Sequence, residues 1–115
     1  MTSGTDYPED ADGDALRSIV ESGSDMTRPM VIDFAIDAGS KAIALECLAA
    51  LEDAGFEASL YQDEDDKRWS VYCPIRMIPD YDAIVRTQRV LGELAAEHGG
   101  TSDGWGTFGN AEEAS

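Results

Sequence analysis

Positive charge is what this sequence has least of. Eight lysines and arginines stand against twenty-four aspartates and glutamates in 115 residues, a formal charge of −16 with the single histidine neutral. Binding a phosphate backbone needs Lys and Arg to neutralise phosphates and release their counterions, so nucleic acid is a poor direct partner. An anionic membrane surface is disfavoured for the same reason. Long apolar runs are missing too. No stretch approaches the ~20 residues of a membrane-spanning helix. Met1-Thr2-Ser3-Gly4-Thr5-Asp6 has no basic segment leading into an apolar one, so a cytoplasmic location is expected. Cysteine is down to Cys47 and Cys73, far apart and each inside an apolar segment. Two isolated cysteines make neither a disulfide framework nor a metal motif, and a reduced, buried pair is expected.

What is present is enough for one core. The apolar fraction is 43%, ordinary for a globular chain, and a chain of this length buries roughly 65% of the surface it exposes when unfolded. A single domain over residues 1–115 is expected, with an ordered core of about 7–107 and flexible ends. The acidic balance favours a basic partner, for which a field of this sign speeds encounter. Solubility, or tolerance of a high-salt cytoplasm, is the plainer alternative.

The hydrophobic spacing predicts a helix, then βαββαβ. Asp12 is an N-cap candidate ahead of Leu16, Ile19 and Val20 at helical spacing, with Gly23 to end the helix. From Met30 to Asp37 the period becomes two, the mark of a strand with one buried face. Ala44, Cys47, Leu48 and Leu51 form a helical stripe closed by Gly55. Phe56–Tyr61 and Trp69–Met77 alternate around an acidic tip at Gln62–Lys67, and read as a hairpin. Pro79 or Asp80 opens a third helix carrying Ile84, Gln88, Leu91 and Leu94, and Gly99-Gly100 stops it. A short strand around Trp105 and Thr107 follows, and the tail from Asn110 to Ser115 offers nothing to bury.

This order is the ferredoxin-like α+β arrangement: an antiparallel sheet with two helices on one face, preceded by a short N-terminal helix. The other face then carries Asp33, Glu57, Ser59, Tyr61, Ser70 and Tyr72. Tyrosines among acids supply contact area with little entropy loss, so a protein partner is sought there. The candidate partner-binding residues are Asp33, Glu57, Tyr61, Tyr72 and Trp105, the tryptophan being either a terminal core plug or a surface anchor. A solvated face partly covered by the first helix is the alternative.

Motifs for chemistry fail on spacing. With Gly13 as the sixth position of a calcium loop, the first and twelfth ligands would be Pro8 and Ile19, which cannot hold the ion. Gly104-Trp105-Gly106-Thr107-Phe108-Gly109 matches the dinucleotide fingerprint in letters, but too few residues remain for the helix and strand that would make it work. His98, in the last turn of the third helix, suits the helix dipole and has no nucleophile or metal spacing beside it. No enzyme, cofactor or metal is therefore expected. A small-ligand-binding or general interaction domain is the second functional reading.

Several strings resemble one family. Tyr7-Pro8-Glu9-Asp10-Ala11-Asp12-Gly13-Asp14-Ala15-Leu16, Gly23-Ser24-Asp25-Met26, Met77-Ile78-Pro79-Asp80-Tyr81 and Asp103-Gly104-Trp105-Gly106-Thr107 together are similar to the regulator of ribonuclease E activity B (RraB) family. The resemblance runs from about Tyr7 to Thr107. It implies a ferredoxin-like fold and a cytoplasmic bacterial protein that binds the endoribonuclease ribonuclease E, lowers its activity and changes the decay of a subset of transcripts. An acidic domain docking on a basic, Arg-rich, disordered segment of the enzyme's scaffold would fit that role. The resemblance brings no catalytic residues with it.

Overall fold

The computed structural model describes residues 8–107, 109 and 110. Of the ends expected to be flexible, 1–6 and 108–115, only 109 and 110 fall among them. The chain is α+β, with three helices and a four-stranded antiparallel sheet.

Helix α1 spans Ala11–Glu21. Its N-cap is Asp10, not Asp12, because the Asp10 carboxylate accepts from the Gly13 N–H at 2.8 Å. Asp12 is thereby moved into the first turn, where acid favours the positive helix end. Strand β1, Met30–Gly39, leads through the Ser40 cap into α2, Lys41–Asp53. The hairpin is β2, Ser59–Gln62, and β3, Trp69–Met77. β2 starts three residues later than the alternation suggests, so Glu57 precedes the strand. Asp80 caps α3, Tyr81–Ala96, and β4 follows at Thr101–Gly106. Thr107 falls just beyond β4.

The sheet order is β2-β3-β1-β4. Met30, Ile32, Phe34, Ile36 and Ala38 of β1 are buried on one face. Register adds Val71 and Cys73 of β3 beside them, opposite Ile36 and Phe34. α2 contributes Ala44, Cys47 and Leu51, and α3 contributes Ile84, Leu91 and Ala95. The hydrophobic effect thus fixes which face of β1 turns inward, since slipping the register by one residue would expose every apolar side chain. Gly100 shows how closely α3 returns to the sheet: a Cβ there would meet Cys47 Sγ at 2.8 Å and Ile36 Cγ2 at 3.0 Å.

α1 packs against α3, which rules out the part of the alternative reading in which it covers the open sheet face. Its inner residues Leu16 and Ile19 complete the core from the helix side, which leaves the acidic face uncovered by α1.

Asn110 also departs from expectation. Rather than having nothing to bury, it is 3% exposed. Its side-chain oxygen accepts from Asp25 N–H at 2.7 Å, and its amide nitrogen donates to the carbonyls of Asp25, Arg28 and Pro29 at 2.9, 3.2 and 3.3 Å. One buried amide thus satisfies four backbone groups of the turn before β1, which helical and strand periodicity cannot foretell.

Both cysteines are free and buried. Burial raises the Cys73 thiol to about 11 and pushes Cys47 upward in the same direction. Since the thiolate is the reactive species, neither should react with a thiol-specific dye at pH 8 until denaturant is added. Titration of even one equivalent in the native state would contradict this packing.

Candidate partner-binding face

The open face follows from the pleat. With Ile32, Phe34 and Ile36 turned to the helices, Asp33, Ala35 and Asp37 of β1 must turn away. Tyr72 pairs with Ala35 and with Ser59 of β2, while Ser70 pairs with Asp37 and with Tyr61. Tyr61 and Tyr72 meet edge to face, with ring centroids 5.6 Å apart and planes at 74°. That geometry suits the aromatic quadrupole and holds both rings at the surface.

β4 adds an acid by an irregular route. Its register runs Asp33 to Gly106 and Phe34 to Trp105, then shifts before Ile36 meets Ser102. Two residues, Asp103 and Gly104, stand opposite Ala35 alone, and Gly104 takes a φ of 86°, as a β-bulge allows. Simple alternation would put Asp103 on the same side as Trp105. The bulge turns it to the open face.

Two shallow concavities result. One, about 410 Å³, is bordered by Asp33, Ala35, Tyr72, Asp103 and residues 105–107. The other, about 260 Å³, is bordered by Asp37, Tyr61, Asp63, Asp66, Arg68, Ser70, Tyr72 and Asp103. Tyr72 and Asp103 belong to both, so the two form one acidic, tyrosine-centred surface. Arg68 donates to Asp37 at 2.7 Å, and this bond holds its guanidinium still further toward the charged form. With about half its side chain exposed, that pair adds little stability.

Of the five candidate residues, the face brings together Asp33, Tyr61 and Tyr72. Glu57 is exposed, but lies in the segment before β2. Trp105 registers with Phe34, and its ring goes to the helix side, where its indole N–H donates to Asp12 at 2.8 Å. Gln88 of α3 donates to the same Asp12 oxygen at 3.2 Å. The ring is therefore half-buried, tying α1 to β4, because an indole N–H removed from water needs an acceptor. Asp37 and Asp103 were missed in the sequence. Asp37 continues the β1 alternation and was legible, whereas Asp103 was not.

A second tie fastens α1 from the same side: the Tyr81 hydroxyl donates to Asp10. The bond favours carboxylate and phenol, holding Asp10 below its ordinary value and pushing Tyr81 up to about 12. For the lowered Asp10, the linked stability is present above its unfolded value and lost as pH falls through the folded one. For the raised Tyr81, it is present below the ordinary tyrosine value near 10 and lost as pH rises toward 12. Ultraviolet titration should find one of the four tyrosines near 12, returning toward 10 in Asp10→Asn. Four ordinary titrations would remove this contact.

Among the described residues no three of His, Cys, Asp and Glu are grouped to hold a metal ion. No helix there is long and apolar enough to cross a membrane.

Fold and face together define a small acidic α+β fold whose tyrosine-bearing sheet surface no described helix covers. The model of the family described as regulator of ribonuclease activity B (RraB) matches residues 9–107. The chain belongs to that family, one of regulators rather than catalysts. No curated protein sequence matches it significantly. Among solved structures, a dinuclear metal-binding peptidase of the M20 family from Bacillus subtilis aligns at 14% identity with a TM-score of 0.37. That alignment covers 70% of this chain and spans only 26% of the peptidase.

Proposed function

We propose that this chain regulates RNA decay by binding a ribonuclease of the ribonuclease E type, taking a basic segment of the enzyme or its scaffold onto the open sheet face. The observation that carries the reading is the convergence of Asp33, Asp37 and Asp103 around the paired Tyr61 and Tyr72. Carboxylates attract a cationic chain and set its register, while the tyrosine rings supply apolar area and cation–π faces. The segment would lower activity by limiting RNA access or by changing what assembles on the scaffold. Membership of a family of ribonuclease regulators supports the same direction, and the strand order β2-β3-β1-β4 supports a ferredoxin-like fold. The protein works in the cytoplasm on this reading, without a cofactor.

The test is affinity capture from the native host at low and moderate salt, followed by cleavage assays with the captured enzyme. A ribonuclease should co-purify, be lost as salt screens the charges beyond a Debye length of about 8–10 Å, and cleave more slowly when the protein is added back. Capture of only unrelated proteins at every salt concentration, or cleavage unaffected by the added protein, would overturn the reading.

A further inference from the structure

The helix layer carries a second surface that the sheet face does not explain. α2 and α3 pack side by side and leave a groove of about 380 Å³ between them. Ala49, Ala50 and Leu94 give it apolar area, while Glu46 and Asp53 from α2 and Glu97, the C-cap of α3, border it with acid. His98 also borders it, with Nδ1 3.5 Å from Glu46 Oε1. Val90, one turn before Leu94 on α3, is 41% exposed. Residues four apart share a helix face, so Val90 and Leu94 form a short apolar strip beside the groove.

The geometry points to this groove as a docking site for a short amphipathic helix of another protein, with an apolar stripe flanked by lysine or arginine. Charge chooses the occupant. Two copies of this chain pairing about a twofold axis here would set Glu46, Asp53 and Glu97 of one against the same acids of the other. An anionic membrane meets the same repulsion. A basic amphipathic helix answers both features at once, its stripe covering Ala49, Ala50 and Leu94 and its cations meeting the acids of both helices. The groove lies across the sheet from Asp33 and Tyr72, so both surfaces can be occupied together. The protein would then bridge two segments of one partner, or two partners, and local concentration would raise the combined affinity well above either alone.

The experiment is an amide-resolved NMR titration of the full chain with a fourteen-residue leucine–lysine helical peptide, beside a peptide of equal charge in which serine replaces leucine. Shifts should gather at Ala49, Ala50, Leu94 and Glu97 with the leucine peptide only. Ala49→Arg, which fills the groove at an exposed position, should weaken binding at least tenfold. Glu97→Lys should weaken it several-fold, and Glu21→Gln, at the exposed end of α1 outside both surfaces, should leave it unchanged. Equal shifts at these groove amides with the serine peptide, shifts confined to the open sheet face, or sedimentation showing a dimer that Ala49→Arg disperses would each overturn the proposal. Because the groove and the sheet face are read by different amides, this test can fail while the ribonuclease reading stands, and the reverse.

Discussion

Tyr72→Ala is expected to weaken binding of a basic ribonuclease segment by about 30-fold or more, the effect of removing ~2 kcal/mol at a central aromatic contact. Tyr72 borders both concavities of the open face and braces Tyr61 at 5.6 Å. Its loss removes apolar area, a cation–π face and the support of a second ring together. The fold should tolerate the change, since the side chain is 36% exposed and stands outside the core. Isothermal titration at low salt, with thermal denaturation as the control, separates the two effects. Tyr72→Phe should keep most of the affinity if the ring is what binds. Asp33→Asn and Asp103→Asn should act differently, slowing association and flattening its salt dependence more than they speed dissociation. Unchanged affinity in Tyr72→Ala would move the binding surface elsewhere.

Asn110→Ala should cost about 3 kcal/mol of stability, a midpoint lower by roughly 10 °C for a domain of this size. The side chain meets Asp25 N–H and three carbonyls in a site where it is 3% exposed. Alanine leaves those groups without their partner and vacates the volume. Asn110→Asp tests the chemistry at nearly constant shape. Its carboxylate can still accept from Asp25 N–H, but it faces three carbonyl oxygens with no amide protons to give them. It should be at least as destabilising at neutral pH, and less so in acid where the carboxyl protonates and regains one donor. Thermal denaturation across pH measures both. A change below about 0.5 kcal/mol in each variant, the range of ordinary surface substitutions, would show that the turn before β1 does not depend on this lock.

Legibility in the sequence followed regular repetition. β1 was readable because Met30, Ile32, Phe34 and Ile36 alternate without interruption, and all four are buried. α2 was readable from Ala44, Cys47, Leu48 and Leu51. Helix α1 was recognised but capped two residues late, since Asp10 and Asp12 are chemically equal candidates and only the bond to Gly13 separates them. For the hairpin, the alternation at Phe56–Tyr61 overstated β2, because Phe56 and Ala58 pack on the core from an irregular segment. Asp33, Tyr61 and Tyr72 were legible as a face, since each sits in an alternating run. Trp105 was ambiguous until its register with Phe34 gave its ring a side.

The sequence by itself determined the charge, the order of elements and the side of β1 that turns inward, because these depend on composition and on periods of 2 and 3.6 along the chain. Its strings also pointed to the family. Tertiary structure alone decided which acids share the open face, what holds α1, and where Asn110 goes. Asp103 reaches that face through a bulge at Gly104. Asp12 gains its role by accepting from Trp105 and Gln88, 93 and 76 residues away, and Asn110 reaches back 85 residues to Asp25. The physical reason is the same in each case: a local period sets the direction of a side chain, whereas a bulge or a long-range hydrogen bond depends on which distant segment the fold brings opposite it.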